Sequence, residues 1–298
     1  MRVSNVLLAV VVLGLLISSL AIWLYPSVQD FMANNVMWNG IRSFSSEFSA
    51  NSIDSLDDLP GLPEKAVLVA IPYLEYSDEE LSKIKRFVDD GGTLLLMDDY
   101  GYGNSVLAYL GVSVRFTNRP LRDPLFCYKR QCMPQIIDFA PRVKESGIDA
   151  ITLNHATTIA NATEAEVLAW SSSASFLDIN ENESWDEGEP TGPFPVAVEF
   201  RFGNGTLALA SDPSIMINSM VGRDDNYGFM RYLTHYEGGQ GEILVDDSHL
   251  IKTPLDVSRT RLASTREVFS SPYALAGITV VIFAVVSRYT LKKGEIIG

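Results

Sequence analysis

The sequence predicts an α/β protein with a mostly parallel central sheet and an added β-hairpin region, set between N- and C-terminal transmembrane helices. Three observations predict it. Short apolar runs, KAVLVAIP and TLLLMDD, alternate with amphipathic helical patterns between residues 65 and 111. A longer run, PVAVEFRFGNGTLALASD, folds back on itself at Asn204-Gly205. Two apolar stretches stand near the ends of the chain.

The elements follow in order. Residues 65–72 form an apolar run bounded by proline, the mark of a buried strand. In SDEELSKIKRFVDDGG, Ser77 is an N-cap with Glu80 three residues on, a capping box. Leu81, Ile84, Phe87 and Val88 line one helical face, and Gly91 and Gly92 end the helix. Residues 93–99 are a second buried strand, and 104–111 a short helix closed by glycine. Strand, helix, strand, helix at these lengths means parallel strands joined by crossovers. Strands that are apolar throughout imply cover on both faces. An earlier helix spans about residues 39–50, and IDSLDDLPGLPEK connects it to the first strand. In the second half, 166–178 leads into an acidic run, 195–212 is the hairpin, 214–222 and 226–236 are helical, and GEILVDDSHL is the last strand.

Residues 6–25, VLLAVVVLGLLISSLAIWLY, carry no charge. About 20 such residues, at 1.5 Å each, cross a hydrocarbon layer of roughly 30 Å. Trp23 and Tyr25 sit where an aromatic belt would. The alternative is a cleaved signal peptide, whose apolar region is about 7–15 residues ending at small residues. Ser19-Leu20-Ala21 matches such an ending poorly, and apolar residues follow it. The second stretch, 273–293, has Arg288 near its end, within snorkelling reach of headgroups. Arg2 on one flank, and Arg288, Lys292 and Lys293 on the other, put both termini in the cytoplasm. The expected division is an anchor at 1–25, an extracytoplasmic body at 26–271, an anchor at 272–291 and a cytoplasmic tail at 292–298. The membrane is then itself a partner, met through two spans.

That body keeps 19 of the 23 Lys+Arg and 36 of the 37 Asp+Glu, a net charge of −17. Nucleic acid and anionic lipid need basic patches and are excluded as partners. Cations suit such a surface. Cys127 and Cys132, in FCYKRQCMP, are the only cysteines. Outward topology expects a disulfide closing this small loop, with free or metal-bound thiols as the alternative.

Two patterns carry candidate chemistry. In DINENESWDEGE six carboxylates fall in twelve residues with no Lys or Arg. Against the calcium-loop pattern D-x-[DN]-x-[DN]-G-x5-E, Asp178 takes position 1, Asn180 position 3, Asn182 position 5, Asp186 position 9 and Glu189 position 12. Ser184, at position 7, offers its backbone carbonyl, and Trp185 falls where such loops turn inward. This is the oxygen set Ca²⁺ takes, so a calcium ion is the expected cofactor. Glu183 departs from the pattern, since position 6 turns with φ > 0 and wants glycine. The loop also lacks the two flanking helices, and a solvated acidic loop is the alternative. The second pattern is polar residues at strand ends, where doubly wound sheets bind ligands. Asp98, Asp99, Asn104, Ser211, Asp212, Asn218, Asn226, Asp246 and His249 make a candidate pocket for a cation or a hydroxyl-rich ligand. The alternative is that they cap the following helices.

The stretch from Ser77 to Val112, together with SSSASFLDINENESWDEGEPTGPFPVAVEF and ASDPSIMINSMVGRDDN, resembles archaeal membrane-anchored proteins of the family called domain of unknown function 4350. The resemblance implies a relative of the class I glutamine amidotransferase fold, a flavodoxin-like three-layer sandwich, with no established activity. Amidotransferase chemistry needs a cysteine on a sharp strand-to-helix turn beside a histidine. Neither cysteine follows a predicted strand in that way, and no G-x-S-x-G occurs. The expected function is therefore a non-enzymatic, membrane-anchored extracytoplasmic protein with a calcium-braced loop, binding a protein or small molecule outside the cell. The alternatives are a hydrolase or transferase on glycan or peptide, using Asp98, Asp99, Asp212 and His249, and an accessory subunit of a transporter.

Overall fold

The computed structural model describes residues 3–24, 26–61, 65–236, 241–258, 261–262 and 280. Two compact units divide the chain, Ser27–Ile251 and the terminal segments Met1–Pro26 with Lys252–Gly298.

In the terminal unit, α1 (Val3–Leu24) is a helix of 22 residues. Among the described residues no helix is long and apolar enough to cross a membrane. Residues 273–293 lie, apart from Val280, outside the described residues. The expectation of two membrane spans is corrected accordingly. A span needs a helix of about 20 residues that is apolar throughout, and no described helix meets that requirement. Flanking transmembrane helices, the membrane as partner and the extracytoplasmic body with cytoplasmic termini all rested on those spans, and none of them stands.

The other unit is mixed α/β, built on one eight-stranded sheet. In chain order its strands are β1 (Asn51–Ile53), β2 (Val67–Ala70), β3 (Thr93–Met97), β4 (Asp138–Phe139), β5 (Glu166–Trp170), β6 (Pro195–Phe202), β7 (Gly205–Ala210) and β8 (Ile243–Asp246). Across the sheet the order is β1-β8-β2-β3-β7-β6-β5-β4. The pairs from β1 to β7 are parallel. The pairs from β7 to β4 are antiparallel.

Alternation along the strands makes two cores. Val69, Leu95, Met97, Ala208, Ala210 and Val245 face one way, and Leu68, Leu94, Leu96, Leu207, Leu209 and Leu244 the other. The second set is covered by α3 (Asp78–Asp89), through Leu81, Ile84, Phe87 and Val88, and by α4 (Gly103–Leu110), through Val106, Leu107 and Leu110. The first set is covered by α2 (Arg42–Glu47), α5 (Pro141–Glu145) and α6 (Asn226–Leu233), which bury Phe44, Val143, Phe229 and Met230.

Several expected elements shift. The hairpin is part of the main sheet, because β7 pairs with β3 from Thr206↔Thr93 to Ala210↔Met97. Its turn is Gly203-Asn204, one residue earlier than read, with Gly203 at φ 56. A two-residue hairpin turn with glycine first matches the twist of its strands. The helix expected at 39–50 is only α2, and 214–222 holds one 3₁₀ turn, Pro213–Met216. Ile53, read as connector, belongs to β1 beside β8. Two-residue strands also pair Arg115–Phe116 with Ile159–Ala160, Leu121–Arg122 with Phe176–Leu177, and Gln135–Ile136 with Ile151–Thr152.

Candidate functional site

Because β8, β2, β3 and β7 run parallel, their carboxyl ends share one edge. Asp98 and Asp99 follow β3, Ser211 and Asp212 follow β7, and Asp246 closes β8 ahead of Asp247 and His249. The amides of Gly101 and Gly103 donate to the Asp98 carboxylate at 2.7 Å each, shaping the turn into α4. Burial pushes the Asp98 carboxyl up to about 6, against those two amides and with the charge of Asp99 adding to it. Asp99 accepts from the Tyr100 amide at 2.7 Å. Burial raises it also, while that amide and the charge of His155 oppose the shift. Asp212 caps the 3₁₀ turn, accepting from Ser214 N at 2.7 Å and from Asn154 N at 2.6 Å. Its carboxyl is pushed up to about 8 by burial, with Asp99 contributing repulsion. Ser211 Oγ is buried with no hydrogen-bond partner among the described residues.

The β8 end forms a separate network. Asp246 accepts from the Tyr76 hydroxyl at 2.7 Å, pairs with His249 Nδ1 at 2.8 Å, and takes the Ser248 amide at 2.9 Å. The His249 ring lies against Tyr76, centroids 3.6 Å apart, and its Nε2 is 3.6 Å from Glu80. Burial raises the Asp246 carboxyl, but its bonds to His249, Ser248 and Tyr76 outweigh that and hold it below the usual range. Asp247 is buried, its amide bonded to Ile53 O. His249 is thus within hydrogen-bond reach of a carboxylate, but inside the domain.

The three asparagines of the expected pocket bond to backbone elsewhere. Asn104 brackets Phe116, donating to its carbonyl and accepting from its amide, both at 2.9 Å. Asn226 does the same for Thr152 at 3.0 Å each way. Asn218 accepts from Ser43 N and donates to Asn35 O, tying α2 to the loop before it. The three asparagines therefore brace backbone at three separate places.

The loop 178–189 closes on itself. Asp178, fully buried, accepts from the amides of Asn182 and Glu183, each at 3.0 Å. It also pairs with buried Arg122 at 3.1 Å. Glu189 reaches back to Ile179 N at 2.7 Å and to Asp186 N at 3.1 Å. Asn180 and Asn182 donate to Asp186 at 2.7 Å, which holds that carboxyl below the usual range. Ser184 donates its amide to Asn182 Oδ1 at 2.8 Å. Glu183 sits at φ 65, the left-handed conformation that position 6 requires. Trp185 points outward and is 53 % exposed, not turned in. Among the described residues no group of three or more His, Cys, Asp or Glu is gathered as a metal centre. The pattern's three ligands of those types, Asp178, Asp186 and Glu189, are not gathered into such a group. The others are asparagine and main-chain oxygens, so the donor set fits a hard oxygen-seeking ion. The ion pair with Arg122 already offsets one charge.

Cys127 and Cys132 are free thiols, which corrects the expected disulfide. Backbone pairing closes their loop instead: Cys127 bridges Pro134, and Tyr128 N donates to Met133 O at 2.9 Å. Cys132 is buried, and burial, then Asp123 and Cys132, push the Cys127 thiol up.

One cluster was not foreseen. Glu199 on β6, nearly buried, pairs with Arg142 of α5 at 2.8 Å and with His235, just after α6, at 2.9 Å. The alternation Glu199-Phe200-Arg201-Phe202 was its only local signal, since Arg142 and His235 arrive from remote segments.

No curated protein matches the chain. Among solved structures, the mmIFT52 N-terminal domain is similar, with TM-score 0.52 and 15% identity over 70% of this chain and 94% of that one. A ThuA-like protein from Bacteroides uniformis matches with TM-score 0.39 and 11% identity, covering 64% of this chain and 78% of that one. A beta-galactosidase from Bacillus circulans sp. alkalophilus matches with TM-score 0.35 and 17% identity, covering 57% of this chain and 22% of that one. The first likeness is one of fold alone, and the other two carry no argument. A family model described as a domain of unknown function, DUF4350, matches residues 33–234, more than half of the sequence, and the chain belongs to that family.

Proposed function

We propose that this chain is a non-enzymatic binding domain for a protein or small-molecule partner, with a calcium ion bracing the loop from Asp178 to Glu189. The observation that carries the calcium reading is the backbone at Glu183, whose φ of 65 supplies the turn that the sequence alone made doubtful. The ion would be held by Asp178, Asn180, Asn182, the Ser184 carbonyl, Asp186 and Glu189. It would supply charge neutralisation and loop order rather than chemistry. The non-enzymatic reading is supported by the strand ends. Asp98, Asp212 and Asp246 are each engaged by two or more hydrogen bonds that shape the loops around them. A relationship to the class I glutamine amidotransferase fold belongs to the same proposal and is supported by the five parallel strands with helices on both faces.

The test is calorimetric titration of Ca²⁺ into the full chain and into an Asp186→Ala, Glu189→Ala variant. Asp186 is exposed and Glu189 half-buried, and neither takes part in the buried Asp178–Arg122 pair. Binding in the micromolar to millimolar range that disappears in the variant supports the reading. Absent binding, or binding that survives in the variant, returns the segment to a solvated acidic loop.

A further inference from the structure

The first core's face of the sheet changes character at one end. Along β6, Phe200 and Phe202 pack toward the second core, which turns Glu199 and Arg201 to the opposite face. Register extends that face sideways. Thr93, Thr206 and Arg201 lie in one row across β3, β7 and β6, and Ala208, Glu199 and Glu166 in the next across β7, β6 and β5. Elsewhere this face is apolar and covered by helices. Here it opens into a cleft of about 780 Å³, within the usual range for a small-ligand site.

The charges in the cleft are unevenly matched. Glu199 is held between Arg142 and His235, and Arg142 Nε also pairs with Glu166 at 2.8 Å. Burial raises the Glu199 carboxyl, but the bonds and charges of His235 and Arg142 prevail and keep it ionised. Arg142 is thereby engaged by two carboxylates, Glu199 and Glu166. Arg201 has no carboxylate partner among the described residues. Its guanidinium touches only neutral oxygens, Thr206 Oγ1 at 3.3 Å and Asn204 O at 3.5 Å. Arg201 is exposed and lines the cleft beside Thr93 and Thr206.

We propose that this cleft binds a small anion, a carboxylate or a phosphate monoester, through Arg201 with the Thr93 and Thr206 hydroxyls. Guanidinium matches both anions with two parallel N–H donors, and hydroxyls complete the shell. The volume of the cleft limits the ligand to a small molecule. The site is separate from loop 178–189 and does not depend on calcium there.

The experiment is calorimetric titration of the full chain with inorganic phosphate and, separately, with acetate, at constant ionic strength. Arg201→Gln is compared with Arg231→Gln, whose guanidinium pairs with Glu47 outside the cleft. The expected result is saturable binding of at least one anion with Kd below roughly 10 mM. It should weaken at least tenfold in Arg201→Gln and in Thr206→Val, and stay unchanged in Arg231→Gln. Melting curves establish that each variant is folded. No saturable binding of either anion, or equal affinity in Arg201→Gln, overturns the proposal.

Discussion

Asp212 is completely enclosed, and its carboxyl releases a proton only near pH 8 in the folded protein. Unfolded, it does so near 3.8, the ordinary aspartate value. Between those values the folded state binds more protons than the unfolded one, so stability falls as pH rises. The contribution is fully present below pH 3.8 and is lost as pH climbs to about 8. Asp98 acts in the same sense up to about 6. In Asp212→Asn the loss of stability from pH 5 to pH 8 should shrink, by up to about 1.4 kcal/mol for each pH unit. Urea denaturation at several pH values measures it, and parallel slopes for the two proteins would disprove the assignment. Arg122 and Asp178 pose the opposite case, two buried charges that satisfy each other. Arg122→Leu leaves Asp178 enclosed and unpaired, at a cost of about 3–5 kcal/mol. Arg122→Leu with Asp178→Asn should cost less than Arg122→Leu alone. A double-mutant cycle in urea reads the difference, and strictly additive losses would refute the coupling.

At the scale of elements, α3 was legible in detail. Ser77 accepts from Glu80 N, and Glu80 Oε2 accepts from Ser77 N at 2.8 Å, the reciprocal cap its spacing implies. Ser77→Ala should cost about 1 kcal/mol, visible as a lower urea midpoint. The β6–β7 hairpin was legible as an element but not in its register. Gly205 begins β7, where a Cβ would come within 2.2 Å of Gly92 O and 2.4 Å of Val88 O. Both are backbone atoms, Val88 in the last turn of α3 and Gly92 in its connection to β3, so neither yields easily. Gly205→Ala should therefore destabilise by about 1–3 kcal/mol or more, whereas Gly61→Ala, with open space around its Cβ, should change little. Equal midpoints for the two variants would show that the connection gives way. Nothing in the local pattern revealed this contact, because it joins segments more than a hundred residues apart.

For the whole molecule, the sheet is the shared wall of both cores. Leu95 faces one and Leu96 the other, each fully buried. Leu95→Ala and Leu96→Ala should each cost about 2–5 kcal/mol and lower the midpoint of the same transition. Circular dichroism and tryptophan fluorescence followed together check this. Two separated transitions would mean that the layers unfold independently. The candidate site belongs to this scale too. Its carboxylates were legible because strand ends are legible, but their duties were not. Tyr76 and Asp246 are 170 residues apart, and Asn154 and Asp212 are 58 apart.

The sequence by itself determined the strands β2, β3 and β8, the capped helix α3, the hairpin and the left-handed turn expected at position 6 of the acidic loop. Each depends on neighbours within a few residues, where alternation, caps and turns act. Only the tertiary structure decided that β8 inserts between β1 and β2, that β7 joins β3 rather than standing apart, and that Glu199 meets Arg142 and His235. Those outcomes depend on which distant apolar faces bury each other best, and on which buried charge finds a partner. Burial and pairing are free energies of the assembled chain, and they have no local signature to read.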